Sequence, residues 1–252
     1  MLKDLRETVL EANLELNRRG VVLYTWGNVS AIDRESGLIV IKPSGVSYDD
    51  MTVDDMVVVN LQNETVWGEK KPSSDTKTHT ALYRAFPELG GISHTHSTHA
   101  VAWAQERRGI PCLGTTQADY CAGEVPCTAP LPPDEVQADY ETATGDAIIR
   151  RFQGLNPVEV PMVLVAGHGP FTWGKDADEA VRNAVILEET AKMAALTVSI
   201  SGHNPEHWKT TCSIITISAN TAKTPGTVRN SAFPAAHKNG ARSVLLRGGR
   251  VL

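Results

Sequence analysis

The sequence predicts an α/β domain of three layers, in which helices flank a mostly antiparallel central sheet. Three observations predict it. Segments of helical period alternate with short runs rich in Val and Ile from the N-terminus to about residue 206. Neighbouring strands are joined by turns rather than by long crossovers, which favours antiparallel pairing over a doubly wound parallel sheet. Neither a G-x-G-x-x-G fingerprint nor a phosphate-binding P-loop occurs, so nothing points to a dinucleotide fold.

Leu2, Leu5, Val9, Ala12 and Leu16 recur at three- and four-residue steps and mark an amphipathic helix that Gly20 ends. Val21 to Thr25 is apolar and β-branched, and Gly27 permits a tight turn within Trp26–Ala31. Gly37 to Lys42 and Met56 to Asn60 read as strands, the first stopped by Pro43-Ser44-Gly45. A helix is expected near Thr76 to Phe86, with Ser74 or Asp75 as its cap. A short strand starts at Gly90-Gly91-Ile92 and carries Ser93-His94-Thr95-His96-Ser97; a helix follows from about Thr98 to Arg107. Residues 110 to 135 hold five prolines and read as loop, Glu135 to Phe152 as helix, and Pro161–Ala166 and Phe171–Trp173 as strands. Asp176, with Glu179 three residues on, opens the clearest helix, like a capping box. Ala177, Ala180, Val181, Ala184, Leu187, Ala191 and Ala195 line one face of it, with Glu188 the polar exception.

The 252 residues suffice for one large domain or two small ones with a real core. No run of about eighteen apolar residues exists, so no membrane span is expected. The net charge of −5 argues against nucleic-acid binding. Cys112, Cys121, Cys127 and Cys212 have neither zinc-ribbon nor disulfide-framework spacing, which points to free thiols and a reducing, cytoplasmic setting. The charge is uneven. Beyond His207 stand seven Lys and Arg and no Asp or Glu, which leaves residues 1–207 at −12.

The chemistry centres on His94 and His96. On a strand, residues i and i+2 share a face, so both imidazoles can reach one metal ion, though such a pair also occurs as plain polar strand residues. A catalytic zinc takes three protein ligands and leaves one position open. His168, in Gly167-His168-Gly169-Pro170, is the candidate third ligand. Gly27-Asn28, Ser44-Gly45 and Ser73-Ser74 combine small residues with donors suited to an anion, and Lys42 adds a cation beside the second loop; each is also an ordinary turn motif. Asp75 is a candidate fourth ligand or base as well as a cap, and Asp119 is a second acid/base candidate or a solvated loop acid.

Six stretches carry a resemblance to a known family. They are Trp26–Ser30, Ile41–Val46, Lys71–Thr76, His94–Ser97, Thr115–Tyr120 and His168–Gly174. In order and content they resemble the class II aldolase/epimerase family, in its L-ribulose-5-phosphate 4-epimerase branch. The resemblance covers residues 1–206 and implies Zn2+ held by His94, His96 and His168, with Asp75 beside or on the metal. It implies a sugar-phosphate pocket made by Gly27, Asn28, Lys42, Ser44, Gly45, Ser73 and Ser74. It makes Asp119 one of two proton donor/acceptors, serving a neighbour's zinc in a C4 homotetramer with sites at subunit interfaces. The implied reaction inverts C4 of L-ribulose 5-phosphate by retro-aldol cleavage and re-addition. A related aldolase acting on a phosphorylated deoxyhexose is the alternative; Asp75 distinguishes it, because such aldolases carry Glu there. A non-catalytic phosphosugar-binding remnant is the other alternative.

Two departures stand out. Gln117 replaces the family's His in Thr-Thr-His-Ala-Asp and is expected to loosen support for Asp119. Residues 207–252 match nothing in the family, whose ending supplies a tyrosine as second acid/base. Codons for Trp208–Asn230 can be written that, read from the third base of His207, also encode LEDYLLDHHYLRKHGKDAWYGQE, a family-like ending followed by a stop. The tail is therefore read as an aberrant, frameshifted segment, the alternative being a genuine basic tail for an anionic partner. Pro225, Gly226, Gly240, Gly248 and Gly249 predict poor order there.

Overall fold

Seven short strands form one sheet in the order β4-β3-β2-β1-β5-β7-β6, and every pairing is antiparallel. The computed structural model describes residues 1–202; the tail expected to be poorly ordered, and Cys212, lie outside the described residues. The strands are β1 (Asn28–Asp33), β2 (Leu38–Ile41), β3 (Val57–Asn60), β4 (Thr65–Trp67), β5 (Gly91–His94), β6 (Met162–Leu164) and β7 (Pro170–Gly174). The helices are α1 (Lys3–Arg18), α2 (Thr76–Ala85), α3 (Thr98–Gln105), α4 (Thr115–Ala118), α5 (Pro133–Arg151) and α6 (Ala177–Ile200).

Alternation along the strands fills both sheet faces. Val29, Ala31, Val40 and Val58 pack with Val9, Ala12 and Leu16 of α1 and with Ala177, Val181 and Ala184 of α6. Ile39, Ile41, Val57, Val59 and Ile92 point the other way, into a cluster with Leu82 and Tyr83 of α2 and Ile148 of α5. The result is the expected three-layer arrangement. The second half of α6 joins α3 through Leu187, Ala191, Ala100, Trp103 and Ala104, all buried.

Several elements depart from the sequence reading. Val21–Thr25, although apolar and β-branched, forms no strand and turns at Tyr24 and Thr25; Val21 and Val22 are buried while Leu23 and Tyr24 face outward. The strand begins later, at Asn28. The edge strand β4 escaped notice because Thr65 and Val66 are exposed and show no apolar pattern. Asp75 stands at the N-cap of α2 yet makes no side-chain cap bond. Asp176 does cap α6, its Oδ1 accepting from Glu179 N at 2.8 Å, but Glu179 reaches back to Lys175 N (2.9 Å), one residue further than a capping box requires. The α5 helix breaks at Asp139 (φ −166°, ψ 98°), whose carboxylate takes Lys77 Nζ at 2.6 Å and Thr142 N at 3.3 Å.

Gly91 explains how β5 reaches α6. A Cβ there would lie 2.4 Å from the Asp176 carbonyl carbon and oxygen, so only glycine allows the strand to lie against the helix start. Gly91→Ala must displace that backbone, and overpacking of this kind costs about 1–3 kcal/mol. Urea unfolding of the variant should show that loss in midpoint with an unchanged slope.

Candidate metal and anion site

The central ladder sets the floor of the site. Asn28 on β1 stands opposite His94 on β5, and His94 stands opposite Phe171 on β7. The His94 ring stacks on Phe171 with centroids 4.2 Å apart. Its Nδ1–H donates to the Pro170 carbonyl at 2.8 Å. That bond fixes the tautomer and leaves the Nε2 lone pair facing the cleft.

His96 arrives differently from the strand argument. The strand ends at His94, so His96 lies on the connection to α3 and is exposed. Its Nε2 nonetheless sits 3.0 Å from His94 Nε2 and 3.2 Å from His168 Nε2. His168 comes from the turn between β6 and β7, held by Gly167 N donating to Ala104 O (2.7 Å) and His168 N to Val165 O (3.0 Å). The ligand atoms of the three histidines all fall within 4.8 Å of one another. Burial and the neighbouring charges of His94 and His96 push His168 down to about 3, and burial, with His94 beside it, lowers His96. Both are therefore neutral at pH 7, the state in which imidazole binds a metal. The donor set, three imidazole nitrogens converging from one side, fits a metal that keeps an open position. One departure from the usual support is that His168 Nδ1 is buried without a hydrogen-bond partner.

Asp75 stands beside this set. Its Oδ2 accepts from Asn28 Nδ2 at 2.6 Å. Burial alone would raise its pKa, but the neighbouring imidazoles of His94 and His79 and the Asn28 amide outweigh it and hold the carboxyl below its usual range. Asn28 thus presents its amide to Asp75, and its Oδ1 is buried with no partner. His79 and Ser30 lie beneath, joined at 2.7 Å between Nδ1 and Oγ, with Tyr83 Oη 2.9 Å from the same hydroxyl.

The three candidate anion loops are laced together. Segments 42–44 and 71–73 pair through Ser44 N to Lys71 O (2.8 Å) and Ser73 N to Lys42 O (3.0 Å), which sets Ser44 and Gly45 next to Ser73 and Ser74. Tyr48 Oη donates toward the carbonyls of Trp26 (2.7 Å) and Gly27 (3.0 Å), tying in the first loop. Gly27 sits at φ +73°, and a Cβ would meet the His94 carbonyl at 2.8 Å. The Lys42 ammonium is 1 % exposed and donates to the carbonyls of Thr25, Pro43 and Val46 at 3.1–3.4 Å. It fastens the loops from within rather than standing free beside them. Burial lowers it to about 8.

All these loops and the histidines line one cleft of about 370 Å³, together with Trp26, Tyr140 and Glu141. The last two were missed from sequence. Tyr140 reaches the cleft because α5 breaks at Asp139, and its ring lies 5.6 Å from that of His168; the Asp-Tyr-Glu string inside a helical stretch gave no signal of a break. Asp119, at the C-terminal end of α4, is exposed and does not line the cleft of its own chain. Gln117 is buried and does not loosen that turn: its Nε2 donates to Ile110 O (3.2 Å) and Gly123 O (3.3 Å), bracing the loop that carries Asp119. Among the described residues no helix is long and apolar enough to cross a membrane.

The class II aldolase and adducin N-terminal domain matches residues 7–195. L-ribulose-5-phosphate 4-epimerase UlaF of Salmonella paratyphi A is 55 % identical over 205 residues, covering 81 % of this chain and 90 % of that protein. An L-fuculose 1-phosphate aldolase superposes with a TM-score of 0.68 at 23 % identity, covering 84 % of this chain and 95 % of the other, a likeness of fold. YgbL of Klebsiella pneumoniae, described as a putative aldolase/epimerase/decarboxylase, gives 0.60 at 28 % identity over 79 % of this chain and 91 % of its own.

The Lys42 clasp has a pH signature. Between about pH 8 and the ordinary lysine value of 10.5 the unfolded chain holds a proton that the folded chain has released. Stability therefore rises with pH across that window. In urea unfolding at pH 8, 9 and 10, the difference between wild type and Lys42→Met should grow in favour of wild type; a constant difference would contradict the shift.

Proposed function

Because the chain belongs to the class II aldolase family, we propose that it is a zinc-dependent L-ribulose-5-phosphate 4-epimerase. One observation carries the proposal: a set of converging imidazoles and a laced trio of serine- and glycine-containing loops face each other across one cleft. A metal and a phosphate placed there would hold the two ends of one small sugar phosphate. The 55 % identity to an epimerase supports this substrate over that of the aldolases, as does Asp at position 75 rather than Glu.

His94, His96 and His168 would hold the zinc, which when bound supplies Lewis-acid stabilisation of negative charge at the substrate's oxygens. The chain's own residues do the rest. Ser44, Gly45, Ser73 and Ser74 offer hydroxyl and backbone donors to the phosphate, and Lys42 keeps their loops in register. Asp75, its carboxyl held below the usual range, accepts from Asn28, which sets its orientation, and would stand beside the bound metal. In the reaction the C4 hydroxyl gives up its proton as the C3–C4 bond breaks and C4 becomes an aldehyde. The aldehyde turns its other face, the bond re-forms, and the new hydroxyl at inverted C4 takes a proton back. Two groups on opposite sides are needed. Asp119 is assigned as one, acting in the site of a neighbouring protomer of a homotetramer, since it lies away from its own cleft. The family's second group is a tyrosine in the segment that falls outside the described residues, and the sequence as written lacks it.

The direct test is conversion of L-ribulose 5-phosphate to D-xylulose 5-phosphate with zinc supplied, for the chain as written and for one carrying the shifted-frame ending. Turnover by the repaired chain, with about 10²–10⁴-fold less from the chain as written, is the expected result. No turnover by either would reject the substrate. In the active form, Asp119→Asn and His96→Asn should each be inactive alone and should recover activity when their subunits are mixed, because sites with both intact residues then form. Failure of mixing to restore activity would place Asp119 elsewhere.

A further inference from the structure

We propose that Glu188 is a positioning residue for the metal centre, setting the spacing of His96 and His168 through α3. This rests on the metal-site reading above but goes beyond the ligands themselves. Of the three histidines, only His94 lies in the sheet. His96 sits on the connection between β5 and α3, and His168 on the turn between β6 and β7. Both of these connections are tied to the same helix. The chain enters α3 at Thr98, two residues after His96. At its other end, the Ala104 carbonyl accepts from Gly167 N at 2.7 Å, next to His168. The distance between the two imidazoles is thus bridged by α3, and it moves if α3 moves.

What fixes α3 comes from α6. Ser97 occupies the N-cap of α3 but makes no cap bond with its side chain. The cap is supplied across the fold by the Glu188 carboxylate. Its Oε1 takes His99 N (3.0 Å) and lies 2.7 Å from His99 Nδ1; its Oε2 takes Ala100 N (3.0 Å) and shares His99 N (3.1 Å). A carboxylate on free N–H groups at a helix start is a charge-assisted contact favoured by the helix dipole. Near the other end of α3, Trp103 Nε1 donates to the Ala191 carbonyl at 3.0 Å, giving the strut a second attachment to α6. Glu188 is the polar residue that interrupts the apolar face of α6, and its side chain is 13 % exposed. Capping α3 accounts for its presence there.

The test measures zinc affinity by competition with a chelating dye, alongside melting temperature with and without zinc. Glu188→Gln keeps the shape but replaces one acceptor with an amide that opposes the α3 N–H groups. A group bonded directly to a metal ligand is typically worth about 10–100-fold in metal affinity; Glu188 acts one step further out, through α3, and the expected weakening is about tenfold. Asn183→Ala is the comparison. It removes another α6 attachment, Asn183 Nδ2 to the Trp173 carbonyl at 2.7 Å, which holds β7 and not α3. It should lower the melting temperature while leaving zinc affinity within twofold. Glu188→Asp, with the charge kept on a shorter arm, should fall between wild type and Glu188→Gln, and it decides the matter if Glu188→Gln does not fold. Wild-type affinity in the Glu188 variants, or equal losses in Asn183→Ala, would overturn the proposal. Failure of the wild type to bind zinc would instead reject the metal site on which it rests.

Discussion

The site depends on a single register: Asn28 opposite His94 opposite Phe171 across the three central strands. That row settles three things together. It stacks His94 on Phe171, it sets the Pro170 carbonyl where it can take the His94 Nδ1 proton, and it brings the Asn28 amide up beside His94, within reach of Asp75. A slip of one residue would turn each of these side chains to the opposite face. The slip is opposed by the two filled faces of the sheet, since Val29 and Ser30, or Ile92 and Ser93, would exchange environments with it. Packing of the apolar residues and placement of the polar ones are thus one constraint, and the chemistry inherits the precision of the core.

Charge is handled in the same economical way. Asp75, Lys42 and Glu188 are all largely withdrawn from water, where an unpaired charge is costly. Each has become the centre of a set of oriented partners. Asp75 faces histidines and the Asn28 amide, Lys42 faces three backbone carbonyls, and Glu188 faces the start of α3. Asp75 and Lys42 draw their partners from separate segments of chain, and Glu188 draws its own from a helix other than the one that carries it. A buried charge that requires donors or acceptors from separate loops will hold those loops together, so the charges that a catalytic cleft needs also define its shape. Tyr48 does a neutral version of the same work between the first and second loops.

Much of this was legible in the sequence and some was not, for physical reasons. Helices with an apolar stripe and strands with buried Val and Ile announced themselves through period. So did the histidines, because metal ligation needs a particular residue type and leaves a pattern. The strand rule explained His94 but not His96, which lies past the strand end and is delivered by a turn. Asp75 read as a cap because an acid at a helix start is usually one; only the positions of Asn28 and the imidazoles give its carboxylate a better partner. Tyr140 was hidden because the break in α5 comes from a long-range pairing of Asp139 with Lys77, which no local window contains. Gln117 read as a weakness because its comparison was with a missing His. In the fold it is a brace, because a buried carboxamide can donate to two carbonyls at once.

The position of Asp119 completes the logic. An acid meant to act on its own chain's substrate would be expected on the cleft wall, and the residues of that wall are accounted for by the loops, the histidines and α5. Asp119 instead stands exposed on a turn that Gln117 braces, away from the cleft of its own chain. An outward-facing acid is badly placed to act in the cleft of its own chain, which is why the proposed mechanism gives it to a neighbouring subunit. On that proposal the complete site would be a property of the assembly, with the acid/base group coming from one chain and the imidazoles from another. It would also let the two faces of a planar aldehyde be served by groups from different chains.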